Sequence, residues 1–170
     1  ALRQGSAVAV CDGSYKADFG TAGFVIQNGA SAISRILGAH VTSGHPDEIE
    51  LYRSELGGIF AIVVVIEAIA TYHDIREGTI DLGCDCQSGI TTVFEHEYDT
   101  PKQPNHDLIH EIRRKLANSR ILWKFRHVHG HQDDHATFTS LNMWGRLNVE
   151  MDSLAKAYWN ETHDLIPPFY

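Results

Sequence analysis

A chain of 170 residues, 43% apolar and 21% charged, is long enough for one domain with a substantial core and has the make-up of an ordinary globular protein. Its 22 acids against 14 bases give a net charge of −8, which argues against binding nucleic acid by bulk attraction and fits a site that gathers acids around cations. The longest apolar run, IFAIVVVIEAIA at 59–70, is too short to cross a bilayer and carries Glu67, so no membrane partner is expected, and no signal peptide is read at the start.

Residues 7–12 read as a buried strand that ends on Asp12. GTAGFVIQN, 20–28, and ASAISRILGAHV, 30–41, read as two more strands, with short Gly- and Asn-containing turns between them, hence an antiparallel meander. The period then changes. From Asp47 to about His73, Leu51, Leu56, Ile59, Phe60, Val63, Ile66 and Ile69 recur at helical spacing, with Pro46 and Asp47 as the start. TIDLGCD, 79–85, predicts a buried strand; CQSGITTVFEHE, 86–97, a short helix; DTPKQPN, 99–105, a loop. HDLIHEIRRKLAN, 106–118, is an amphipathic helix and RILWKFRHV, 120–128, an alternating strand. Residues 129–147 read as irregular and NVEMDSLAKAYWN, 148–160, as the last helix.

The order β-β-β-α-β-α-α-β-α predicts an α/β fold: a mixed five-stranded sheet, three antiparallel strands then two parallel ones, flanked by helices, with right-handed crossovers. In such sheets sites form at the carboxyl ends of strands, near the switch in strand order. Two strands end there in an acid, Asp12 and Asp85. A carboxylate is costly to bury without compensation. Glu55, early in the long helix, and Asp152, in the first turns of the last helix, fit the same place. Four carboxylates this close repel, and hard divalent cations relieve the repulsion. Two such ions can stabilise the attacking and leaving oxygens of a phosphoryl displacement. Each acid alone has a plainer reading: turn text for Asp12, a solvated helix face for Glu55, a cap for Asp85, a dipole partner for Asp152.

Five stretches in this order, CDGSYKADFGTAGFVI, YRSELGGIFAIV, LGCDCQSGI, VHGHQDD and NVEMDSLAKA, resemble the ribonuclease H family, in particular its type 1 branch and reverse-transcriptase-linked relatives. The resemblance runs from about residue 7 to 160. It implies that Asp12, Glu55, Asp85 and Asp152 are metal-binding acids for two Mg²⁺ or Mn²⁺ ions, and that the RNA strand of an RNA–DNA hybrid is cut to 5′-phosphate and 3′-hydroxyl ends. It also puts His131 at the mobile-loop histidine, which assists proton transfer or product release; imidazole titrates near neutrality and suits that work. Gly13, Ser14, Tyr15, Lys16, Arg53, Gln87 and Ser88 are candidate substrate contacts, Gln87 and Ser88 because they open a helix.

The chain also departs from the family. Glu50, Leu51 and Tyr52 stand where Thr or Asn residues often hold the hybrid, and EHEYDTPKQPN, 95–105, is short and acidic where some members carry a basic protrusion. Substrate affinity is then low or supplied by another domain, with an upstream reverse transcriptase in a longer polyprotein as the expected partner. The long stretch 132–147 is read either as a flap over the site or as packing against the body. Alternatives remain open: another polynucleotidyl transferase or DNA nuclease on the same fold, a non-catalytic scaffold domain, or a zinc site of His127, His129, His131 and His135 with Cys84 or Cys86. Cys11, Cys84 and Cys86 are an odd count and read as reduced thiols, which points to an intracellular, reducing compartment, cytoplasm or nucleus. A single domain and a monomer are expected.

Overall fold

Residues 1–95 and 100–165 are described here from a computed structural model. Strands β1 (Ala7–Lys16), β2 (Phe19–Asn28) and β3 (Ser31–Val41) form the antiparallel meander, followed by helix α1 (Leu51–Tyr72) and strand β4 (Gly78–Cys84). A single helical turn, α2 (Gln87–Ile90), runs into a π turn at Thr91–Glu95. Helix α3 (His106–Asn118), strand β5 (Ile121–His127) and helix α4 (Met143–Thr162) complete the described chain. The sheet order is β3-β2-β1-β4-β5, with β4 and β5 parallel to β1 and to each other. This is the expected mixed five-stranded sheet.

Side-chain alternation along β1 sends Ala7, Ala9 and Cys11 to one face and Val8, Val10 and Asp12 to the other. The first face packs on α1 and α3 through Leu56, Ile59, Ile62, Val63, Ile66, Ile109 and Ile112, which lie with Phe24, Ile26, Ile80 and Leu82 in one core. The second face packs on α4, where Val8, Val10 and Val25 meet Leu147 and Met151. Helix α1 has 22 residues and is long and apolar enough to span a bilayer by length alone. Here it is the central core helix, and it begins with buried Arg53, Ser54 and Glu55.

Three local readings are corrected. β1 does not end at Asp12. It continues to Lys16 in its pairing with β2, while its pairing with β4 stops at Cys11↔Cys84. The turn that follows, Ala17–Asp18, has φ of 51° and 58°, the geometry of a two-residue hairpin, without the glycine that usually marks one. The helix expected over 86–97 contains one α turn, and its last two positions lie outside the described residues, as does the first of the loop 99–105. Helix α4 starts five residues early, at Met143, where the Asn142 side chain accepts the Gly145 N–H at 3.0 Å as an N-cap. Met143 and Trp144 pack against the Val8–Val10–Val25 core, so this part of 132–147 is body and not flap.

Candidate active site

Asp12 is the first residue of β1 beyond its pairing with β4, and Asp85 is the first residue after β4. The two carboxylates therefore leave adjacent parallel strands side by side, at the switch where β1 turns from β4 to β2 alone. Asp12 is 5% exposed and Glu55 6%. Asp85 and Asp152 are half-buried. Glu55 comes in from α1 on one face of the sheet and Asp152 from α4 on the other. Gly13 makes the approach of α1 possible: a Cβ there would stand 2.7 Å from the backbone nitrogen of Glu55.

Electrostatically, the four acids act on one another. Burial, then the charges of Asp85 and Asp152, push the Asp12 carboxyl up to about 8. Burial likewise holds Glu55 well above the usual carboxylate range, aided by Cys84, Asp12 and Asp85. Asp85 is raised by burial, against the opposing pull of nearby Asn148, His131 and His127. Asp152 has a direct cationic neighbour, Lys156, one turn on, with Nζ at 2.7 Å from Oδ2. One lysine does not offset four acids, two of them almost fully buried.

The loop after β5 closes over Asp85. Val128 donates its N–H to the Cys84 carbonyl at 2.9 Å, continuing the β4–β5 ladder by one bond. A Cβ on Gly130 would lie 2.5 Å from Asp85 Oδ2, so any larger residue there would push the Asp85 carboxylate aside. His131 follows in a left-handed conformation, φ 52°, with an exposed side chain near enough to Asp85 to stabilise its charge. His127 Nε2 lies 3.0 Å from the Asp85 carbonyl oxygen, and its ring meets that of His129 edge-on at 5.1 Å. Among the described residues the tightest group of metal-ligating side chains is Glu55, Cys84 and Asp85; it contains no histidine.

The substrate-contact candidates divide. Ser14 and Tyr15 lie half-exposed on β1 past Asp12, and the Tyr15 hydroxyl donates to Asp18 across the hairpin turn at 3.0 Å. Lys16 lies over the Trp159 ring. Gln87 and Ser88 are exposed beside Asp85, but a helix of one turn offers little dipole, which removes the reason for reading a phosphate site there. Gly13 is buried against α1 and serves packing. Arg53 is the clear correction. It is 4% exposed and holds Asp107 through two hydrogen bonds, Asn105 Oδ1 and the Ser43 carbonyl. It is a strut between α1, α3 and the 42–45 loop, its guanidinium buried away from the solvent a substrate would come from.

Asn148 was not anticipated. It is 2% exposed, one turn before Asp152 on α4, and its Nδ2 faces Asp85 without a hydrogen bond of good geometry. An asparagine four residues ahead of an aspartate on one helix face was its only sequence signal.

The sequence matches no protein-family model, and no curated protein is similar to it. Solved structures do resemble it. RNase H1 from the halophilic archaeon Halobacterium salinarum NRC-1 superposes with a TM-score of 0.63 at 16% identity, covering 92% of this chain and 98% of that one. LC11-RNase H1, solved in complex with an RNA/DNA hybrid, gives 0.63 at 10% identity, over 89% of this chain and 94% of that one. The sheet order, the flanking helices and this near-complete coverage agree: the chain has the ribonuclease H fold.

Proposed function

We propose that the chain is a metal-dependent nuclease that hydrolyses the RNA strand of RNA–DNA hybrids. The observation that carries this reading is Asp12, a carboxylate 5% exposed with Glu55, Asp85 and Asp152 around it. Such a quartet is poorly tolerated without cations, and its donors are all hard oxygens, the chemistry of Mg²⁺ or Mn²⁺. The residues fit two ions held by Asp12, Glu55, Asp85 and Asp152. Divalent ions bound there supply a polarised water and neutralise charge at the scissile phosphate.

The chain's own groups do the rest. Asp12 and Asp85 leave the sheet side by side and give the site a rigid base. Glu55 is fixed by its helix and by the Arg53 strut two residues earlier. Asn148, buried one turn before Asp152, turns its amide toward Asp85. His131, exposed on the loop beside Asp85, is the chain's candidate for proton transfer at the leaving group. A neighbouring fold solved with an RNA/DNA hybrid supports the choice of substrate.

The test is cleavage of end-labelled hybrid, beside duplex and branched DNA, with Mg²⁺, with Mn²⁺ and with EDTA. Metal-dependent cutting confined to the RNA strand is expected. Preference for branched or duplex DNA would transfer the assignment to another polynucleotidyl transferase, and no cutting with any divalent ion would make the chain a scaffold.

A further inference from the structure

One wall of the carboxylate site is sulfur. The Cys84 S–H donates to Glu55 Oε2 at 3.8 Å, and one ligand atom from each of Glu55, Cys84 and Asp85 lies within 4.8 Å of the other two. The thiol is held in place: its sulfur accepts the Cys86 N–H at 3.3 Å, and Cys11 pairs with Cys84 across β1 and β4. As filler, a buried cysteine is unremarkable, since Cys84 is 0% exposed within the core. Beyond filling space, the thiol donates to one carboxylate and lies next to a second, so its sulfur and their oxygens converge. A hard ion has little use for that sulfur, whereas a mixed set of one thiolate and two carboxylates suits a borderline or soft d¹⁰ ion.

We propose that Glu55, Cys84 and Asp85 form a site for one thiophilic divalent cation, Zn²⁺ or Cd²⁺, that displaces hard ions from the carboxylate quartet. Binding forms a metal–sulfur bond and breaks the Cys84 S–H bond, the proton passes to buffer, and no electron is transferred. The ion enters from the half-exposed side of Asp85. The consequence, inhibition of hybrid cleavage, rests on the nuclease reading; the binding does not.

The probe is Cd²⁺ alone, titrated into the chain without Mg²⁺ and read by the near-ultraviolet thiolate-to-cadmium absorption. One equivalent should saturate the band. Cys84→Ser should weaken Cd²⁺ binding about 100-fold, a loss at the upper end for a metal-site residue, whereas Cys86→Ser should keep the band. Should Cys84→Ser fail to fold by circular dichroism, cadmium X-ray absorption on the unaltered chain decides, with one sulfur among oxygen neighbours expected. No band, a band surviving in Cys84→Ser, a band lost in Cys86→Ser, or more than one sulfur overturns the site. Zn²⁺ should slow Mg²⁺-supported cleavage by the unaltered chain, and cleavage indifferent to Zn²⁺ would overturn the displacement. Cleavage with no band sinks this inference alone; a Cys84-dependent band with no cleavage sinks the nuclease reading alone.

Discussion

At the scale of single residues, Asp12 is the buried acid on which the proposed chemistry rests, and it bears a large burial cost. Asp12→Asn should abolish metal-dependent cleavage while leaving the circular dichroism spectrum intact, because the amide fits the same space without a charge to bury. The same variant predicts a pH effect. Unfolded, the Asp12 carboxyl titrates at its ordinary value of 3.8; folded and free of metal, it keeps its proton up to about 8. Between those values the folded chain holds a proton that the unfolded chain has released. The stability this contributes is full below the lower value and is lost as pH rises through the upper one. In EDTA, Tm should therefore fall from about pH 5 to about pH 8 more steeply in the unaltered chain than in Asp12→Asn, each tenfold change in proton affinity being worth about 1.4 kcal/mol. Mg²⁺ should raise Tm more at the upper pH; equal slopes in the two proteins would contradict this. The four acids were legible because each stands at a recognisable edge of a strand or helix. Arg53 was not: an arginine two residues from Glu55 looks like a substrate contact until the fold brings Asp107, more than fifty residues away, onto it.

At the scale of elements, that same contact joins α1 to α3. The Arg53 fork meets Asp107 at 3.0 and 2.7 Å, and the guanidinium is buried while the aspartate is mostly exposed. Asp107→Ala leaves a buried charge with neutral acceptors only, and should cost about 1–3 kcal/mol in urea denaturation. Arg53→Lys should not rescue the loss, since an ammonium cannot reproduce the two-pronged geometry. A second joint holds the β1–β2 hairpin. The Trp159 indole N–H on α4 is shared by the carbonyls of Lys16, at 3.1 Å, and Phe19, at 3.0 Å, on either side of the Ala17–Asp18 turn. Trp159→Phe should cost about 1–2 kcal/mol through the lost donor, with amide exchange quickening first at the hairpin tip. Element types could be read from periodicity, but their ends could not. β1 looked finished at Asp12 because a buried acid resembles a strand end; what stops there is its partnership with β4. The start of α4 was hidden because Gly145 and Arg146 interrupt the stripe of Met143, Trp144, Leu147 and Met151, and only the Asn142 cap reveals where the helix begins.

At the scale of the whole molecule, the architecture was legible and the supply of substrate was not. Strand count, order of element types and the antiparallel-to-parallel switch follow from turn text and crossover length. A net charge of −8 gives the chain no bulk attraction for a polyanion. Fusing a basic, hybrid-binding module to the chain should therefore lower KM for hybrid cleavage by about tenfold or more through effective concentration, with kcat unchanged. An unchanged KM would mean that the isolated chain already grips its substrate. The two faces of the sheet contribute different members of the quartet, Glu55 through α1 and Asp152 through α4. Since α4 is the last described helix, the machinery stays incomplete during synthesis until that segment emerges from the ribosome and docks. A nascent or C-terminally clipped chain, however well its meander and α1 have formed, would hold three of the four acids and lack Asp152.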